Sequence, residues 1–179
     1  SNYNDGRDTP VSGVSRGGIS LVPAVPFGRY FLIGKLGHGG MADVFLSYVT
    51  GPGGFKKLFV IKRLHPHLEE EGDFVEMFLD EARLAARLSH PNVVQTHEVG
   101  EVGGSHFIAM EYLEGQGLNR VRSRCKSKRE SSICPVAMTA RIASQALDGL
   151  HYAHELRDFD DEPLGVVHRD VSPQNIFVT

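Results

Sequence analysis

Two side chains near the end of this sequence could divide a reaction between them. Asp170 and Asn175 stand five residues apart in His168-Arg169-Asp170-Val171-Ser172-Pro173-Gln174-Asn175. A carboxylate can orient a hydroxyl and accept its proton. A carboxamide oxygen one loop-turn away can hold a hard divalent cation such as Mg2+ against phosphate charge. Far upstream, Leu36-Gly37-His38-Gly39-Gly40-Met41-Ala42-Asp43-Val44 is a glycine-rich turn. Missing side chains there let the backbone close over phosphate oxygens, with N–H groups facing them. Lys62 ends the apolar run Leu58-Phe59-Val60-Ile61 and adds a cation one hairpin later. Each feature has a plainer reading by itself: a surface loop, a turn between strands, a solvated lysine at a strand edge. Their order along the chain is what points to phosphate chemistry.

These residues need elements to position them. Residues 29–36, 44–49 and 58–64 read as strands joined by tight turns, Gly51-Pro52-Gly53-Gly54 being the strongest turn signal. Asp73 and Glu76 have capping-box spacing. Val75, Phe78, Leu79, Ala82, Ala85 and Ala86 then recur at three- and four-residue steps, which predicts an amphipathic helix. Pro91 blocks its continuation. Residues 93–99 and 106–111 are two more strands, with a turn at Val102-Gly103-Gly104. Glu114-Gly115-Gln116-Gly117 marks a hinge. Beyond it, Pro135 opens a long helix with Met138, Ile142, Ala146, Leu147, Leu150 and Ala153 on one face. Short apolar strands at Val166-Val167 and Ile176-Phe177-Val178 flank the Asp170 loop. Residues 1–26 are rich in Gly, Ser, Asp, Asn and Pro, and are expected to form a flexible leader.

The octet 168–175 matches the catalytic loop H-R-D-x-x-x-x-N at every defined position. On these residues the chain resembles the protein kinase family; Pro173 resembles the Ser/Thr-kinase form of the loop, and the whole octet is similar to bacterial eukaryote-like Ser/Thr kinases. The resemblance extends over about residues 27–179. It implies an α+β, protein-kinase-like fold: a five-stranded antiparallel N-lobe with one helix (27–113), then a partial helical C-lobe (114–179). It implies ATP and Mg2+ as cofactors and a protein Ser/Thr hydroxyl as acceptor. By the same resemblance Asp170 is the base and Asn175 the metal ligand. Val60-Ile61-Lys62 is similar to the V-A-I-K element, so Lys62 would contact the α- and β-phosphates. Residue type leaves Glu76, Asp80 and Glu81 open as its partner; the family frame selects Glu81. Leu36 to Val44 (Gly37, His38, Gly39, Gly40, Met41, Ala42 and Asp43 between them) would cover the phosphates. Met110 would be the gatekeeper, the backbone of Glu111 and Leu113 would meet adenine, and Val44, Val60 and Phe177 would sandwich its ring.

The pattern departs from the family in four places. Ala42 replaces the third glycine of G-x-G-x-x-G. Ser172 stands where most Ser/Thr kinases carry Lys beside the γ-phosphate, so a charge is missing. Gly117 takes a position often polar for ribose contact. D-F-G, expected roughly a dozen residues after Asn175, is not among the 179 residues. The isolated chain is therefore expected to be inactive and to bind Mg·ATP weakly. Its long helix is expected to be partly uncovered, which favours association. A non-catalytic, pseudokinase-like binding module is the alternative. A small-molecule phosphotransferase ranks lower, because such enzymes usually carry Gly at the position of Arg169.

Composition agrees with a globular domain: 41% hydrophobic and 23% charged residues leave enough apolar material for a core. A net charge of −3 argues against nucleic acid as partner. No run approaches ~18 apolar residues, so no membrane helix is expected. Cys125 and Cys134 read as reduced thiols, and a cytoplasmic location is expected. The basic run Arg120, Arg122, Arg124, Lys126, Lys128 and Arg129 reads as a solvated surface, with docking of an acidic partner as its functional counterpart.

Overall fold

The computed structural model describes residues 15–16, 19–127 and 135–179. Its main layer is an antiparallel sheet of seven strands: β1 (Ser15–Arg16), β2 (Ile19–Phe27), β3 (Tyr30–His38), β4 (Ala42–Thr50), β5 (Lys56–Leu64), β6 (Thr96–Val102) and β7 (Ser105–Glu111). The strand order is β1-β2-β3-β4-β5-β7-β6. Helix α1 (Gly72–Arg87) connects β5 to β6. A second unit follows, with β8 (Gln116–Gly117), α2 (Leu118–Ser127), α3 (Val136–His154) and β9 (Phe177–Val178). This is the expected α+β fold, with two strands more than the sequence reading counts.

The extra strands come from the segment read as a leader. Ile19–Phe27 pairs with β3, from Leu21 opposite Gly34 to Phe27 opposite Tyr30. Pro23 and Pro26 make it look like punctuation, yet a strand lacking some N–H donors is tolerated near a sheet edge. Phe27 is buried against Phe107 at 5.3 Å, so the strand is anchored by a side chain that the leader reading left out. The residues before Ser15 lie outside those described.

Strand parity sorts the core. On one face Phe27, Tyr30, Leu32, Phe59, Ile61, Phe107 and Ala109 pack together. On the other Ala42, Leu64 and Ile108 meet Leu68 and the α1 residues Phe78 and Ala82. Successive strand side chains alternate between faces, so residues two apart share one. Phe59 and Ile61 therefore face the aromatic cluster, and the residues between and after them face α1. The β6–β7 hairpin closes through Gly103 and Gly104, both at positive φ (57° and 79°), the requirement of a two-residue type I′ turn.

Helix α1 forms where its periodicity predicts, with Phe78 and Ala82 fully buried. The capping box does not form. Glu71 is the N-cap, without a side-chain cap bond, and Asp73 sits inside the first turn. There its charge favours the helix dipole without capping. Helix α3 starts directly after Pro135 and buries only Gly149 and Ala153; Leu147 is 63% exposed. Val166 and Val167 form no strand. Lys128, Arg129 and Cys134 lie outside the described residues, so the basic run and the cysteine pair are described only in part. Among the described residues no helix is long and apolar enough to cross a membrane.

Candidate active site

Lys62 lies on β5 opposite Val44 of β4 and Ile108 of β7. Directly paired residues share a face, so Lys62 points to the α1 side, together with Val44. Val60, two residues earlier and opposite Met110, points the same way. Thus Val44, Val60, Lys62 and Met110 gather on one surface of the sheet. Lys62 Nζ donates to Glu81 Oε1 at 2.6 Å. It also lies 5.7 Å from the ring centroid of Phe78, within cation–π reach. Phe78 and Ala82 fix the rotation of α1, and that rotation presents Glu81 to Lys62. Asp80 instead bonds Arg83, one turn along the helix. The Glu81 side chain is 53% exposed, so the pair contributes roughly 0–1 kcal/mol to stability. Its consequence is positional: the ammonium is held at a defined place on the sheet.

The glycine-rich segment is the turn between β3 and β4. Gly37 pairs with Val44 and His38 with Asp43. The Gly39 N–H donates to Ala42 O at 2.9 Å and closes the turn. Around Gly40 an added Cβ would meet nothing within 4 Å among the described residues, so the tip is open with respect to them. Asp43 is the hub of a polar cluster. Its Oδ1 lies 2.6 Å from His38 Nδ1, 3.3 Å from His65 Nε2 and 2.9 Å from Lys35 Nζ. Burial by itself would raise the Asp43 pKa. The hydrogen bonds from Lys35, His38 and His65 outweigh it and hold the carboxyl well below the usual range. Sequence reading includes His38 and Asp43 but misses Lys35 and His65. The hairpin register would have paired His38 with Asp43; nothing local announces His65, which arrives from the end of β5.

The 168–175 loop is braced from within. Asn175 Nδ2 donates to Asp170 O at 3.0 Å and to Asp170 Oδ2 at 2.8 Å. The Asp170 N–H returns to His168 O at 2.8 Å, and the Asn175 N–H to Ser172 O at 2.9 Å. Arg169 takes the left-handed conformation at φ 60°, an uncommon choice for a residue with a Cβ. Because the amide nitrogen of Asn175 faces Asp170, its oxygen is the atom left for a cation. Ser172 Oγ is buried and has no hydrogen-bond partner among the described residues.

Strand pairing ties this loop to the hinge. Gln116 and Gly117 pair with Val178 and Phe177. The Leu118 N–H donates to Ile176 O at 2.8 Å and the Asn119 N–H to Pro173 O at 3.0 Å. Gly117 is buried at this crossing, where an added Cβ would lie 2.7 Å from Asn119 Oδ1. The crowding comes from the Asn119 side chain, while the nearest backbone atom, Gln174 O, would lie at an ordinary 3.5 Å, so a small residue at 117 leaves room for Asn119. At the other end of the hinge, the Glu111 N–H is bonded to Gln95 O at 3.0 Å. The site residues thus form two clusters, one on the sheet and α1 and one on the loop after α3, and the β8–β9 pair ties that loop to the segment following β7.

The family model for the protein kinase domain matches residues 30–179. The chain is 48% identical over 160 residues to the tyrosine-protein kinase MasK of Myxococcus xanthus, covering 89% of this chain and 24% of that protein. It is 35% identical over 160 residues to the serine/threonine-protein kinase PksC of Streptomyces coelicolor, covering 87% and 26%. This chain therefore spans about a quarter of the length of these curated relatives. Among solved structures it is similar to the PknI kinase domain of Mycobacterium tuberculosis, with a TM-score of 0.63 and 31% identity over 89% of this chain and 59% of that one. A glycine-rich hairpin, a lysine held by a helix carboxylate and a braced H-R-D loop coincide with a family match over nearly the whole described length, and on that ground the chain belongs to the protein kinase domain family.

Proposed function

We propose that this chain carries the nucleotide-binding lobe and catalytic loop of an ATP-dependent protein kinase acting on Ser or Thr hydroxyls in the cytoplasm. The observation that carries the reading is the 2.6 Å pair between Lys62 and Glu81, formed on the same sheet face as Val44 and Val60. Fixed positive charge beside an open glycine-rich turn suits a triphosphate. The domain would span residues 27–179 with its hinge at 114–117, and β2 extends its sheet back to Ile19.

In this reading Lys62 orients the α- and β-phosphates and Glu81 keeps Lys62 from turning to solvent. The backbone of 36–44 covers the phosphates; the carbonyl of Glu111 and the N–H of Leu113 take the adenine edge. Val44 and Val60 lie over the base, and Phe177 under it. Asp170 accepts the proton of the attacking hydroxyl as its oxygen bonds to the γ-phosphorus and the bond to the β-phosphate oxygen breaks, releasing ADP. Asn175 fits a Mg2+ ligand, since its oxygen is the free end of an amide anchored on Asp170; Mg2+ there would neutralise phosphate charge. Ser172 supplies no cation where most relatives have one, so slower transfer is expected than with Lys. The 179 residues contain no D-F-G carboxylate, and this polypeptide alone is expected not to catalyse transfer.

A second reading changes the acceptor. The 48% identical relative is named a tyrosine kinase, so a tyrosine hydroxyl is the alternative. Phosphoamino-acid analysis of substrate labelled by the protein that carries this chain separates the two. Phosphoserine or phosphothreonine supports the first reading and phosphotyrosine the second. No labelled product together with no Mg·ATP binding would overturn both.

A further inference from the structure

We propose that His38, Asp43 and His65 form a binding site for one zinc-class transition-metal ion on the outer side of the glycine-rich hairpin. One ring nitrogen of each histidine and one carboxylate oxygen of Asp43 all lie within 4.8 Å of one another. A tetrahedral Zn2+ has ligands at roughly 2.0–2.2 Å, which sets donor atoms roughly 3.3–3.5 Å apart. The present spacings, 2.6 Å from His38 to Asp43 and 3.3 Å from His65 to Asp43, approach that value. Small side-chain movements would complete the site.

The backbone prepares this arrangement. His38 and Asp43 are the closing pair of the β3–β4 hairpin. His65 is held to the same hairpin by its N–H, which donates to Met41 O at 2.9 Å. The two imidazoles stack with centroids 4.8 Å apart, so both reach the same carboxylate oxygen. His65 and Asp43 are largely covered, whereas His38 is 68% exposed and leaves a path for an ion. Asp43 is ionised at neutral pH and needs no deprotonation to act as a ligand. Two imidazoles with one carboxylate suit Zn2+ better than Mg2+, which prefers an all-oxygen shell. Three protein ligands leave a fourth position for water.

Lys35 is the competitor. Its ammonium lies 2.9 Å from Asp43 Oδ1 and would have to yield, and its side chain is half exposed on a flexible stem. Strand parity also separates this site from the nucleotide face. Asp43 is paired with Arg63 and lies one residue from Val44, so it projects from the opposite side of the sheet to Val44 and Lys62. A bound ion would therefore staple the hairpin to the end of β5 from behind, without occupying the face assigned to ATP. The plain alternative is a hydrogen-bonded network that only fixes the turn.

The test is Zn2+ uptake by the full 179-residue chain, measured by competition with a chromophoric chelator in the presence of millimolar Mg2+. One saturable Zn2+ per chain is expected. His38→Gln and His65→Gln should each weaken it by about tenfold or more, and His154→Gln, on the exposed end of α3, should not. Zn2+ should also raise the melting temperature of the parent chain but not of His38→Gln, because only an ion bound to the folded site stabilises it. His65 is buried and its variant could misfold. His38 is exposed, so its variant decides the matter. Zn2+ binding undiminished in His38→Gln, or no saturable binding by the parent chain, would overturn the site and leave the hydrogen-bonded network as its whole role.

Discussion

Asn175 donates its side-chain amide to Asp170 twice, to the backbone carbonyl at 3.0 Å and to the carboxylate at 2.8 Å. The proposed base is therefore held by the residue proposed to bind the cation, and the two roles are mechanically linked. In the protein that carries this chain, Asp170→Asn is expected to lower transfer by about 10²–10⁴-fold. Mg·ATP affinity should change little, since Asp170 is assigned to the acceptor hydroxyl. Transfer rates equal to the parent's would remove Asp170 from the mechanism.

Lys62 and Glu81 should behave as one unit. Lys62→Met and Glu81→Gln are each expected to weaken Mg·ATP binding, and the double variant should be little worse than either alone. A double-mutant cycle on nucleotide affinity should return a coupling energy of at least about 0.5 kcal/mol. Simple additivity would mean that Glu81 does not hold Lys62 in the bound state.

Tyr30 supplies a pH signature. Burial raises its pKa first, and its hydrogen bond to Glu98 at 2.6 Å raises it further. A group with a raised folded-state pKa contributes stability below its unfolded value and loses it as pH climbs through the folded one. The parent chain should therefore lose stability above about pH 10, and Tyr30→Phe should lack that component. At neutral pH the same variant should cost about 1 kcal/mol for the missing hydrogen bond. Urea unfolding from pH 7 to pH 11 measures both; identical alkaline limbs would show that Tyr30 is not the group responsible.

Gly149 tests the seam between α3 and the loop after α1. In an open helix Gly→Ala stabilises by about 1 kcal/mol. Here a Cβ would lie 2.8 Å from Asn92 O, and backbone cannot rotate away as a side chain can. The clash should win, with a net loss of about 1–3 kcal/mol. A Gly149→Ala chain more stable than the parent in thermal unfolding would mean that α3 does not sit this close to Asn92.

Much of this molecule is legible along the chain because its signals are local. Three- and four-residue recurrence marks α1, Gly103-Gly104 marks the β6–β7 turn, and Pro135 marks the start of α3. The residues of the H-R-D loop and the glycine-rich turn are contiguous, so their types and order can be read directly. Contacts between distant segments are not legible in this way. Residue type ranks Glu76, Asp80 and Glu81 equally, and only the rotation of α1, set by burial of Phe78 and Ala82, brings Glu81 to Lys62. Ile19–Phe27 looks like a leader because prolines interrupt it; its strand depends on the open edge of β3 and on Phe107. His65 joins His38 and Asp43 across 22 or more residues because β4 and β5 run side by side in register. Propensity and periodicity are properties of short windows. Which side chains converge depends on strand register and helix rotation, and those are decided only when the whole core packs.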